Sequence, residues 1–192
     1  DARILILSGD GNTPKEVAAA LRAAGYGDSK ITVLERMGGP MEKRHDGTAK
    51  AWRRKCGDLN TIAIHCAAGP NAPRLMRSAG LPDELFQHDG QLTKRDVRAV
   101  TLAALAPAPG ELLWDVGAGA GSIAIEFLRA EPTARAIAIE QSSKRAGNIR
   151  ANGENLGVQK LQVIEGAAPA ALKGLARPDV IFIGGGVSDS KV

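Results

Sequence analysis

The chain has 192 residues, 44% of them hydrophobic, enough for one large or two small domains with a real core and too apolar for wholesale disorder. Aromatics make up only 3%, so Ala, Leu, Ile and Val must build that core, and no apolar run reaches the roughly 18 to 20 residues of a membrane span. The net charge of +4, with bases grouped at Lys43-Arg44, across Lys50 to Lys55 and at Lys94, Arg95 and Arg98, points to an anionic partner such as nucleic acid or a small polycarboxylate, against the blander reading of a solvated surface.

ARILILS, residues 2–8, is a continuous apolar run of strand length. The next segment, TPKEVAAALRAAGYG, predicts a helix. Thr13 caps it, Pro14 takes its first position and Glu16 reaches back to complete a capping box. Val17, Ala20, Leu21 and Ala24 share one face and Gly25 is the stop. ITVLER (31–36) is a strand and Gly38-Gly39-Pro40 a turn. Residues 41–58 are basic, show no clear period and are expected to be irregular. LNTIAIHC (59–66) is another strand. The Gly- and Pro-rich stretch 69–92 is expected to be a linker between a first unit, 1–68, and a second, 93–192. The second unit opens with TKRDVRAVTLAALAP. Thr93 and Asp96 have capping spacing, Val97, Val100, Thr101 and Ala104 fall on one face, and Pro107 and Pro109 end the helix.

From Glu111 the pattern becomes regular. ELLWDVG, RAIAIE, KLQVIEG and DVIFIGGG read as strands. SIAIEFLRA, SSKRAGNIRANGENL and the short APAALKGL read as the helices between them. Continuous apolar strands alternating with helices imply a parallel sheet buried on both faces, that is, a doubly wound α/β domain. The chain begins at Asp1 rather than Met and stops just after a strand-like segment, and is expected to be part of a longer protein.

The chemistry is carried by DVGAGAGS, Asp115 to Ser122, at a strand-to-helix turn. Gly117, Gly119 and Gly121 give G-x-G-x-G, with Ala118 and Ala120 between them. Glycines allow a tight turn and a close approach of ligand to main chain, and the next helix offers free N–H groups. A dinucleotide fingerprint would place its third glycine where Ser122 stands. The spacing instead fits the nucleoside and amino-acid ends of S-adenosylmethionine. Glu140, with Gln141 after it, ends the next strand, where a carboxylate can accept both ribose hydroxyls. Gly166, Ala167 and Ala168 end the third strand and are small enough for an adenine to lie against the backbone. No activated Ser–His or Cys–His pair is evident. Cys56 and Cys66 fit neither a disulfide framework nor a zinc site, which favours a reducing cytoplasm and no metal.

These segments resemble a known family. The run LPDELFQHDGQLTKRDVRAVTLAALAPAPGELLWDVGAGAGSIAIE and the strand DVIFIGGG are similar to the decarboxylating precorrin methyltransferases of cobalamin synthesis. ILSGDGNTPKEVAAALRAAGYGDSKITVLERMGGP and LNTIAIHC resemble the end of a tetrapyrrole methylase domain. The resemblance implies a Rossmann-like class I S-adenosylmethionine-dependent methyltransferase domain, incomplete in its last strands. It implies that this domain is preceded by the carboxyl-terminal α/β lobe of a tetrapyrrole methylase domain, whose amino-terminal lobe is not in the chain. It further implies methylation of two bridge carbons of a reduced tetrapyrrole with loss of carbon dioxide from an acetate side chain. On this pattern Thr93 closes over the cofactor, with Gln91 as a weaker companion. Gly184, Gly185 and Gly186 leave room for the macrocycle, and Lys94, Arg95 and Arg98 steer its carboxylates. A homo-oligomer is expected, with neither nucleic acid nor membrane as partner. Two other readings remain: a nucleic-acid or other small-molecule methyltransferase, and a non-catalytic cofactor-binding module. The first is disfavoured because GGGVSD stands where an Asn/Asp-Pro-Pro-aromatic segment would hold a flipped base.

Overall fold

The computed structural model describes residues 2–70, 72 and 76–185, and divides into two compact units, Asp1–Arg74 and Leu75–Val192. No helix among the described residues is long and apolar enough to cross a membrane.

The first unit contains β1 (Arg3–Leu7), α1 (Thr13–Ala23), β2 (Lys30–Glu35), β3 (Lys43–Thr48) and β4 (Asn60–His65), in a sheet of order β1-β4-β2-β3. β4 runs antiparallel to both β1 and β2, and β2 and β3 form an antiparallel pair. Ile31, Val33, Ile62 and Ile64 alternate onto one sheet face and pack with Ala18, Trp52, Cys56 and Cys66. β1 is an edge strand, and its Leu7 is 82% exposed.

Two local expectations are corrected here. Residues 43–48, expected to be irregular, form β3. Thr13 is the first helical residue rather than the cap. The α1 start is held instead by Asp10, whose Oδ1 accepts from the N–H groups of Asn12 and Thr13 at 2.8 and 3.0 Å.

The second unit contains α2 (Arg95–Leu105), β5 (Leu112–Val116), α3 (Ser122–Ala130), β6 (Arg135–Glu140), α4 (Ser143–Asn155), β7 (Gln162–Glu165) and β8 (Val180–Ile183). The strands are all parallel, in the order β7-β6-β5-β8. The chain winds outward from β5 to β7 and then crosses back to β8 on the far side of β5. This is a doubly wound, Rossmann-like α/β sheet, and its order reverses between β5 and β8. Ligands of such sheets bind at the carboxyl ends of the strands beside that reversal.

One sheet face presents Leu113, Ala136 and Ala138 to Ile123, Phe127 and Ile149 of α3 and α4. The other carries Leu112, Val116, Ile137 and Ile139, packed by Ala168, Ala171, Leu172 and Leu175. That second cover is thinner than expected. The predicted helix over 168–175 is a single 3-10 turn, Ala170–Leu172, and Ile181 stays 53% exposed.

Residues 76–92, expected as linker, lie within the second unit. Leu81 and Phe86 are buried in its core. The Glu126 carboxylate of α3 accepts from the N–H groups of Gly80 and Leu81 at 2.6 and 3.0 Å. The face of α2 also differs from expectation. Arg98 and Leu102 point inward, while Val97 and Val100 are exposed. Arg98 is fully buried. It pairs with Glu126 at 2.8 Å and Asp83 at 2.7 Å, donates to the carbonyls of Leu81 and Thr93, and lies 4.8 Å from the Phe86 ring centroid. A buried arginine is tolerated only when its donors are matched in this way.

Candidate functional site

A cleft of about 530 Å³ opens at the carboxyl ends of β5, β6 and β8. Each wall follows from local backbone chemistry. β5 ends at Val116, and the chain reverses through Gly117, Gly119 and Gly121, with φ of +72°, +60° and +74°. Side-chained residues rarely adopt such values, and three in five positions account for the glycine spacing. Gly117 and Gly119 line the cleft, whereas Gly121 packs under it. A Cβ on Gly121 would lie 2.7 Å from Ile149 Cγ2. The turn delivers the chain into α3 at Ser122.

Glu140 ends β6 and is buried. Its Oε2 accepts from Gly119 N–H at 2.8 Å and its Oε1 from Ser142 N–H at 2.9 Å. A carboxylate has about four acceptor positions, so each oxygen retains capacity toward the cleft. Gln141, Gly166, Ala167 and Ala168 form the wall beyond it, and Gly184 and Gly185 the wall at β8. A Cβ on Gly184 would lie 2.7 Å from the carbonyl oxygen of Gly117, so the two loops approach more closely than any side chain permits.

The sequence-predicted residues separate into three groups. Gly117, Gly119, Glu140, Gln141, Gly166, Ala167, Ala168, Gly184 and Gly185 line this one cleft, and so does Gln91. Asp115, Ala118, Ala120, Gly121 and Thr93 are not among the residues that line it. Asp115 is fully buried, and its Oδ2 accepts from Ala124 N–H of α3 at 3.1 Å. Burial pushes its carboxyl up to about 7 against the pull of the Ala124 N–H, with the charge of Glu140 adding to the rise. The Thr93 carbonyl accepts from Arg98. Lys94 is exposed, with its Nζ 3.8 Å from Asp83. Arg98 is buried and unavailable for steering. Gly186 lies outside the described residues.

Arg145 on α4 was not anticipated. It lines the cleft, and its Nε donates to Asp89 Oδ2 at 2.8 Å. Nothing local in SSKRAGN marks it, because its partner is 56 residues away. Val116 and Ile139 supply the apolar floor. Glu140 and Arg145 are the charged side chains lining the cleft among the described residues. The cleft thus sets two charged side chains and backbone glycines above an apolar floor.

A family described as "Precorrin methyltransferase domain" matches residues 84–192. The chain is 51% identical over its whole length to a Sinorhizobium protein named precorrin-6Y C(5,15)-methyltransferase [decarboxylating], of which the match covers 46%. A Mycobacterium tuberculosis protein of the same name is 46% identical over 97% of the chain and 47% of its own length. The chain thus spans about half the length of these curated relatives. Among solved structures, the C-terminal domain of precorrin-6Y C5,15-methyltransferase from Rhodobacter capsulatus aligns with TM-score 0.57 and 46% identity, over 60% of this chain and 62% of that one. The precorrin-6y C5,15-methyltransferase from Geobacter metallireducens aligns with TM-score 0.55 and 33% identity, over 59% and 62%.

Proposed function

The chain belongs to the precorrin methyltransferase domain family, and from that premise we propose that it serves S-adenosylmethionine-dependent methylation of a precorrin. The reaction is C-methylation at C5 and C15 with decarboxylation, the activity named for its relatives in Sinorhizobium and M. tuberculosis, the carbon dioxide leaving from an acetate side chain. One observation carries this reading. The glycine turn, Glu140, residues 166–168 and Gly184-Gly185 converge on a single cleft at the reversal of the sheet.

The residues present fit the cofactor. Gly117 and Gly119 leave the backbone open where a Cβ would intrude. Glu140 holds acceptor capacity for the two ribose hydroxyls, and Gly166 to Ala168 present a flat, small-residue wall to the adenine. When bound, S-adenosylmethionine supplies an electrophilic methyl group on its sulfonium. The chain's own contribution is geometry. Glu140 fixes the ribose, the glycine turn fixes the amino-acid end, and Gly184 and Gly185 leave space for a macrocycle edge to face the methyl group. Orientation of this kind is worth on the order of 7–11 kcal/mol over free encounter, so the cleft needs no activated nucleophile.

Calorimetric titration of S-adenosylmethionine into wild type and Glu140→Ala tests the reading. The wild type is expected to bind and the variant to bind at least about tenfold more weakly, since a hydrogen bond to a charged group contributes about 1.5–3 kcal/mol. Equal affinity in the two proteins would remove Glu140 from the site. Absence of wild-type binding would remove the cofactor assignment.

A further inference from the structure

The cofactor cleft has one wall that no motif announces. Residues 86–92 cross from the core of the second unit to the start of α2 as a strap. Its ends are anchored, by Phe86 buried beneath Arg98 and by Leu92 packed on the same core. Between them residues 87–91 are exposed. Gln91 nevertheless lines the cleft, and its carbonyl oxygen lies 3.6 Å from where a Cβ on Gly119 would stand.

The strap is tied down from α4. Asn152 is fully buried. Its Oδ1 accepts from Gln87 N–H at 2.8 Å, and its Nδ2 donates to the Gln87 carbonyl at 2.9 Å and to the Ala120 carbonyl at 3.0 Å. One amide therefore bonds the backbone of the strap and the backbone of the glycine turn at once. Only Asn or Gln offers two donors and an acceptor on one carbon, and the shorter stem fits a site with no exposed surface. A second tie holds the middle of the strap, where Arg145 pairs with Asp89 at 2.8 Å.

We propose that Asn152 is a positioning residue for cofactor binding. It sets the spacing between the glycine turn and the strap, and so the width of the cleft at Gly119. The Arg145–Asp89 pair clasps the same strap from the rim. Truncating Asn152 strips the part-buried Gln87 N–H and carbonyl and the buried Ala120 carbonyl of their shared partner. Solvating them lifts the strap toward water, which moves Gln91 away from Gly119. This inference rests on the cleft being the cofactor site.

The test is titration of S-adenosylmethionine into wild type, Asn152→Ala, Asp89→Asn and, as packing control, Leu128→Ala on the buried face of α3, with Tm and amide exchange at Gln87 and Gln91 measured for each. Asn152→Ala is expected to raise Kd about tenfold, as the loss of a buried hydrogen-bond set predicts. Asp89→Asn should raise it about threefold, the scale of a surface ion pair. Both should speed exchange in the strap. Leu128→Ala should lower Tm and leave Kd unchanged. A fall in Tm for Asn152→Ala with wild-type Kd would make its role purely structural and overturn the proposal. Should Asn152→Ala not fold, Asp89→Asn decides alone, and wild-type Kd and exchange in it would overturn the proposal too. Failure of the wild type to bind is a separate outcome, which sinks the cofactor reading and this inference with it.

Discussion

At the scale of single residues, the group with the most pH-sensitive environment is Asp115. It is buried beneath the glycine turn, one oxygen bonded to Ala124 N–H and Oδ1 without a partner among the described residues. Burial lifts its carboxyl from the ordinary 3.8 to about 7. The sign follows directly. The folded chain keeps a proton that the unfolded chain has already lost, so this group's stabilising contribution is full below about pH 4 and is lost as pH rises through about 7. Asn at this position keeps the acceptor for Ala124 and never ionises. Asp115→Asn is therefore expected to gain stability over wild type between pH 4 and pH 8, by on the order of 4 kcal/mol at most, at about 1.4 kcal/mol per unit. Urea unfolding of both proteins at each pH reads this difference directly. Trends from other groups cancel in it, such as Asp89, whose carboxyl Arg145 holds below its usual range. A difference that stays flat with pH would mean that Asp115 is solvated or partnered in solution.

At the scale of elements, the glycine turn and its two helices give opposite expectations for the same substitution. Gly121 has φ +74°, and an added Cβ meets Ile149 of α4 at 2.7 Å. Gly121→Ala is expected to cost about 1–3 kcal/mol through backbone strain and overpacking. Gly147 lies exposed within α4, where an added Cβ meets nothing within 4 Å. Gly147→Ala is expected to stabilise by up to about 1 kcal/mol. Thermal unfolding of the two variants checks the pair, and a Gly121→Ala protein as stable as wild type would contradict the turn geometry. The turn was legible in the sequence because its physics is local, with three positive φ values in five residues leaving glycine as the natural choice. β3 was not. KRHDGT has the charged alternation of a sheet edge, and its strand character comes only from pairing with β2. The face of α2 was misread for a related reason. A helical period cannot say which stripe is buried, and the rule that arginine points outward fails where Glu126 and Asp83 wait 28 and 15 residues away. The strap over residues 86–92 was hidden in the same way, since Gln87 is held by Asn152 from 65 residues further on.

At the scale of the whole molecule, the two units have separate cores, one around Ile31, Val33 and Ile62 and the other around Leu113, Phe127 and Ile149. The parallel run of β5, β6 and β7 follows from crossovers between alternating strands and helices, whereas the antiparallel order β1-β4-β2-β3 depends on pairings that no period encodes. Every described residue lining the cleft falls between Gln91 and Gly185, within the second unit. A stretch of that size can bury a core of its own. Residues 75–192 expressed alone are therefore expected to unfold in one cooperative step and to bind S-adenosylmethionine with a Kd within about threefold of the full chain, less than 1 kcal/mol apart. Calorimetric titration of both proteins under one buffer condition makes the comparison. A folded fragment that binds tenfold or more weakly would show that residues 1–74 shape the cleft, and would place part of the cofactor affinity outside the family-matched region.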